Sequence, residues 1–128
     1  MKVTLVERYT EEEVMANPNT IYVYGDNLLK RGKAGQAVIR DCPNAFGIPT
    51  KRLPATTKVS YFSDTQDEKM VLIETLRILD ININGKDMVL PLHGIGTGLA
   101  KMPEKSPELF KFLTESLRMY NKDYLKDS

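Results

Sequence analysis

Two glycine-bearing stretches hold the residues whose types and spacing could do chemistry. The first, GDNLLKRGKAGQA, covers residues 25–37, and the second, GIGTGLA, covers residues 94–100. Glycine has no Cβ and accepts positive φ, so successive N–H groups in such a loop can turn inward on one anion. One loop suits a phosphate; two converging loops suit a diphosphate. Gly96 is expected to let bare backbone approach the phosphates. Asp26 stands beside Asn27 where the first loop begins, and a carboxylate there either activates water or caps the loop. Lone G-x-G-x-G spacing is a weak signal, because glycines also mark ordinary turns. Neither stretch carries the P-loop lysine motif. The dinucleotide fingerprint fails too, since its glycines belong in the first strand-to-helix turn with an acid about 20 residues later.

Such loops need strands ahead of them. KVTLVERY (2–9) has strand content, with Val3 and Leu5 on one face. Thr10 is placed to cap a short acidic helix that ends before Pro18. TIYVY (20–24) is β-branched and aromatic, the pattern of a strand buried on both faces, and is expected to stop at GDN. A short helix is expected from Ala34 through Asp41, ended by Pro43. NAFGIPT and KVSYF read as extended, with Pro49 and Pro54 marking one of them as an edge or irregular segment. Met70, Leu72, Ile73, Leu76 and Leu79 recur at helical spacing behind a capping box of Ser63 and Gln66, and the turn at Gly85 ends that helix.

DMVLPL is then a short apolar strand leading into the second loop. Ser106 as cap, Pro107 at the first helical position and a stripe of Leu109, Phe110, Leu113, Leu117 and Tyr120 predict the last helix. Strands alternating with helices imply an α/β fold. The expected form is a three-layer α/β/α sandwich on a mainly parallel, mixed sheet, in a single domain over residues 1–128. Ligands bind such sheets at the carboxyl ends of the strands, and a helix beyond each loop would add its positive dipole end.

Composition narrows the partners. Eighteen Lys and Arg against 17 Asp and Glu leave the 128-residue chain near neutral, which disfavours duplex nucleic acid. A local rim of Lys30, Arg31, Lys33 and Lys51 keeps a nucleic-acid module as an alternative. The single cysteine, Cys42, excludes an intramolecular disulfide and a cysteine-based zinc site, and points to a reducing compartment. No apolar run reaches the length of a membrane span, and the N-terminus lacks a signal-peptide core, so a soluble cytoplasmic protein is expected. His93, the only histidine, has no assignable serine or cysteine partner and reads as structural or ligand-orienting.

VLPLHGIGTGLAKMP (89–103) resembles the macrodomain signature, in which a buried strand ends in P-x-I-G-T-G and a proline follows. GDNLLKRGKAGQAVIRDCP resembles the same family's first loop, and the order and separation of the two blocks agree over roughly residues 20 to 117. The resemblance implies binding of ADP-ribose, or of an ADP-ribosylated macromolecule, and in some members hydrolysis of ADP-ribosyl linkages. It implies that Asn27 contacts the distal ribose; any hydrolysis there is expected to use water oriented by Asn27 and Asp26. It implies that Gly32, Ala34 and Gly35 wrap the distal ribose and diphosphate, and Gly25 and Lys33 of the same stretch are further ligand-binding candidates. Gly94, Ile95, Gly96, Thr97, Gly98 and Leu99 would then form the diphosphate loop. No redox cofactor and no metal is implied. A non-catalytic ADP-ribose reader is the alternative within the family. Departures are visible. Arg8 stands where the family's adenine-reading aspartate belongs, leaving Glu7 or Tyr9 for that task. Ala100 and Lys101 replace the usual aromatic. The lysine and aspartate of one hydrolase branch have no counterparts, and no closing strand follows the last helix.

Overall fold

Side chains alternate along two central strands, and this alternation decides how the sheet is covered. The computed structural model describes residues 1–126. Four strands, β1 (Val3–Val6), β2 (Thr20–Asn27), β3 (Ala45–Lys51) and β4 (Asp87–Pro91), form one sheet in the order β1-β4-β2-β3. Every pairing among them is parallel, so the sheet is not the mixed one expected. Ile21 and Val23 of β2, with Met88 and Leu90 of β4, pack into one apolar cluster with Leu72, Leu79, Leu113 and Leu117. Tyr22, Tyr24 and Val89 point the other way and pack with Tyr9, Val14, Ile39 and Cys42. A strand with both faces covered needs the unbroken apolar run that TIYVY supplies.

β2 runs three residues past its expected end, because Asp26 and Asn27 still pair with β3. That pairing slips by one residue: Asp26 faces Pro49, whereas Asn27 faces Lys51. β3 is an edge strand, which is why Pro49 costs no ladder bond there. KVSYF is not a strand. Lys58–Ser60 make a 3₁₀ turn, and only Tyr61 bridges back to Lys51.

The helices differ from expectation at their ends. α1 (Glu11–Ala16) is capped by Thr10, whose side chain accepts from the Glu13 N–H. Residues Gly35–Ile39 form a 3₁₀ helix rather than an α-helix. Gly35 has φ +61, which no right-handed helix continues, and Pro43 lies too close for an α-helix to start after it. α2 (Gln66–Ile83) is capped by Thr65 and Glu68, not by Ser63 and Gln66. The Glu68 carboxylate accepts from the Ser63 N–H at 2.8 Å and the Thr65 N–H at 3.0 Å, and Arg52 Nε donates to it at 2.8 Å. Its buried stripe is Glu68, Leu72, Leu79 and Ile83, while Met70 and Ile73 face outward.

α3 (Met102–Lys105) is a single turn, and α4 (Pro107–Arg118) follows with Leu109, Leu113 and Leu117 buried; Phe110 and Tyr120 are only half-buried. Ser106 occupies the cap position of α4 without bonding through its side chain. Asp64 caps instead. Its carboxylate accepts from the Leu109 N–H at 2.9 Å and the Glu108 N–H at 3.2 Å. Among the described residues no helix is long and apolar enough to cross a membrane.

Candidate functional site

β2 and β4 are neighbours, so the loops leaving their carboxyl ends face each other. Between them lies a cleft of about 510 Å³. Gly25, Asp26, Asn27, Gly32, Lys33, Ala34 and Gly35 line it from the first loop, and Gly96, Thr97, Gly98 and Leu99 from the second. Gly94 and Ile95 do not line it. Ile95 is fully buried, and its N–H donates to the Tyr124 hydroxyl at 2.7 Å.

The backbone of both loops presents unused donors. Among the described residues, the N–H groups of Gly32, Lys33, Ala34, Gly35 and Gln36 find no protein acceptor. The same holds for Gly96, Thr97, Gly98, Leu99 and Ala100. Gly32–Gly35 and Thr97–Leu99 are exposed, so most of these N–H groups meet solvent, and two such runs lining one cleft make a surface open to acceptor oxygens. The expected helix dipoles contribute little, since one loop opens a five-residue 3₁₀ helix and the other a four-residue turn.

The glycines divide by physical role. Gly96 has φ +87, and an added Cβ would lie 2.4 Å from Met102 Sδ. Gly94 has φ +90 and would strike Leu125. These two are needed for turn and packing, so Gly96 faces the core as well as the cleft. Gly98 has no atom within 4 Å of such a Cβ. Gly32 and Gly35 are equally open but have φ +90 and +61.

Asp26 and Asn27 both organise the first loop. The Asp26 carboxylate is buried and bound by Arg40, through Nη1 at 2.8 Å and Nη2 at 2.6 Å, and also accepts from the Asn27 N–H at 2.7 Å. Burial first, and the Asp26 charge second, push the neighbouring Tyr24 phenol up to about 12. Asn27 closes the turn that follows: its Oδ1 accepts from the Leu29 N–H at 3.0 Å, and its Nδ2 donates to the Arg31 carbonyl at 2.8 Å. The second hydrogen on Nδ2 is unused by any described residue.

Three residues that sequence reasoning did not single out hold the cleft together. Gln36 spans both loops, accepting from the Gly25 N–H at 2.9 Å and donating to the Gly94 carbonyl at 2.8 Å. Arg40 ties Asp26 to the Gly32 and Arg31 carbonyls. Thr50 donates to the Asp26 carbonyl at 3.0 Å. Gln36 carried no signal, because its partners lie 11 and 58 positions away.

The cleft is cationic. Lys33 pairs with Asp41 at 2.5 Å, and Arg40 with Asp26, but Arg31 and Lys51 have no carboxylate partner among the described residues. Lys51 is buried, and burial, with Lys101 second, lowers its affinity for a proton. Among the described residues Asp26 is the one carboxylate lining the cleft, and Arg40 occupies it. His93 reaches the rim, exposed, with Nε2 at 3.5 Å from the Glu7 carboxylate. Tyr9, considered for base recognition, is a core residue whose hydroxyl donates to the Val23 carbonyl at 2.7 Å. Cys42 is buried, and burial raises its thiol above the usual range. Among the described residues no three His, Cys, Asp or Glu side chains gather as a metal site.

The model of a family of unknown function, DUF7831, matches residues 4–116. No curated protein and no solved structure matches the chain.

Proposed function

We propose that this chain, which belongs to the family of unknown function DUF7831, is a macrodomain-like three-layer α/β/α protein that binds ADP-ribose or a related nucleoside diphosphate. The observation that carries the reading is the pair of loops, Gly32–Gln36 and Gly96–Ala100, that line one cleft from neighbouring strands and whose N–H groups have no acceptor among the described residues. A diphosphate offers acceptor oxygens to both at once. Arg31 and Lys51 supply the charge. The free hydrogen on Asn27 Nδ2 suits a ribose hydroxyl, and the two apolar clusters on alternate faces of β2 and β4 support the three-layer reading. Because Arg40 holds the only lining carboxylate among the described residues, we read the cleft as a binding site first. Hydrolysis, where it occurs, would use water oriented by Asn27.

Thermal shift tests this directly. At equal concentration ADP-ribose should stabilise the protein more than AMP or ribose 5-phosphate, since a ligand that binds only the native state raises stability by mass action. Equal shifts for all three would remove the two-loop argument. Gly98→Glu sharpens the test, because it adds a negative charge where the backbone is open and unstrained. It should lose binding while keeping a cooperative melt at the parent temperature, and a variant that binds like the parent defeats the proposal. Turnover of ADP-ribosylated protein, lowered about 100-fold or more by Asn27→Ala, would add hydrolysis to binding.

A further inference from the structure

Beside the cleft, three ammonium groups surround one aromatic ring. Lys51 Nζ lies 4.8 Å from the Tyr61 centroid, Lys105 Nζ 5.4 Å and Lys101 Nζ 5.9 Å. They arrive from separate places: the end of β3, the loop after Gly98, and α3. Lys51 is buried, and its Nζ donates to the Ala55 carbonyl at 2.6 Å. Lys101 is held in the left-handed region at φ +49, with its N–H bonded to the Gly98 carbonyl at 3.0 Å. Among the described residues the cluster forms one ion pair only, Lys105 to the exposed Glu104 at 3.8 Å.

One ring face attracts a cation by a modest amount, and three cations converging on it repel one another. The arrangement is therefore short of negative charge. Burial and the Lys101 charge lower the proton affinity of Lys51, as an uncompensated cluster requires. Tyr61 is itself buried, so no nucleobase can stack on it, and the cluster fits a compact anion better than a nucleic-acid strand.

We propose that Lys51, Lys101 and Lys105 around Tyr61 form a subsite for a phosphate monoester, contiguous with the cleft through Lys51 and Ala100. The proposal goes beyond the diphosphate reading and does not rest on it, because Lys101 and Lys105 stand outside the lining of the cleft. The monoester is either a terminal phosphate of the ligand in the cleft or a separate phosphate.

Inorganic phosphate is the first probe, followed by NMR of the lysine side chains on the full chain. Saturable shifts at Lys51, Lys101 and Lys105 are expected with phosphate and not with chloride at equal ionic strength. The Lys101→Gln/Lys105→Gln variant, which leaves the buried Lys51 in place for folding, should bind phosphate roughly tenfold more weakly or worse. An unchanged affinity in that variant, or the same shifts with chloride, overturns the subsite. Displacement by a short RNA at lower concentration than by phosphate overturns it in favour of nucleic acid. Two nucleotides then locate the source, ADP-ribose and ADP-ribose bearing a terminal phosphate. Preference for the phosphorylated form in the parent, lost in the double variant, assigns the monoester to the ligand in the cleft. Equal affinity for both, with phosphate still titrating, assigns a separate phosphate. If neither nucleotide binds while phosphate does, the diphosphate reading fails and the subsite stands.

Discussion

Gly96→Ala separates packing from ligand binding within a single loop. Gly96 has φ +87, and a methyl group there would sit 2.4 Å from Sδ of the fully buried Met102. Placing a Cβ residue in the left-handed region costs about 1–2 kcal/mol. Forcing an extra methyl group into a packed core costs about 1–3 kcal/mol more. The sum, about 2–5 kcal/mol, is a large share of a small domain's stability. Gly98→Ala, two residues on, meets nothing within 4 Å and carries no positive φ, so it should stay within about 0.5 kcal/mol of the parent. Urea unfolding of both variants, with unchanged m-values, reads the difference as a shift in midpoint. A double-mutant cycle identifies the clash. Met102→Ala empties the space, so the Gly96→Ala/Met102→Ala protein should be more stable than the two single losses added together, by about 1–3 kcal/mol. A Gly96→Ala protein as stable as the parent, or a cycle that adds without coupling, would refute the reasoning.

Other perturbations follow from the same contacts. Gln36→Leu strands the Gly25 N–H and the Gly94 carbonyl, and should cost about 2–4 kcal/mol in denaturant unfolding, with faster amide exchange at Gly25. Arg40→Met leaves the buried Asp26 carboxylate without its cation and should cost about 3–5 kcal/mol, part of which Asp26→Asn restores in the double variant. Asp64→Ala removes the cap of α4 and should cost about 1–2 kcal/mol, measured as a lowered melting temperature. Burial raises the phenols of Tyr24, Tyr120 and Tyr124 to about 12, from 10. Between those values the unfolded chain has released protons that the folded chain retains, so stability should fall as pH rises through that window. Stability that stayed flat or rose there would contradict the burial of these rings.

Elements whose signals are local were legible in the chain. TIYVY carries its own β-branched and aromatic run, Thr10 its own cap, and Pro107 its own helix start. What failed was decided at a distance. S-x-x-Q at 63–66 and T-x-x-E at 65–68 are both capping patterns, and Arg52, 16 positions before Glu68, settles the choice. The stretch from Ala34 reads as helical by composition, yet the positive φ of Gly35 holds it to a 3₁₀ turn. At the site, the glycine loops could be found because Gly, Asn and Asp mark turns wherever they occur. Gln36 and Arg40 could not, since their partners come from residues that only the fold brings near. Gly96 shows a subtler limit. The sequence reveals that a glycine is needed there, but not whether the space it leaves belongs to a ligand or to Met102.

The one-residue slip between β2 and β3 has a consequence for how the chain tolerates change. Beside Asp26 and Asn27, β3 spends two consecutive residues where its partner spends one, and Thr50 and Lys51 are both buried. Strict alternation would have put Lys51 on the face opposite to the one it occupies. The position of the Lys51 ammonium is thus encoded by parity, by how many residues precede it in the strand, as much as by its being lysine. A deletion at Thr50 would preserve every charged residue of the cleft, yet it would restore the alternation and turn the cation to the opposite side. Length variation within IPTK therefore changes the side on which the Lys51 ammonium sits without removing any charge of the cleft.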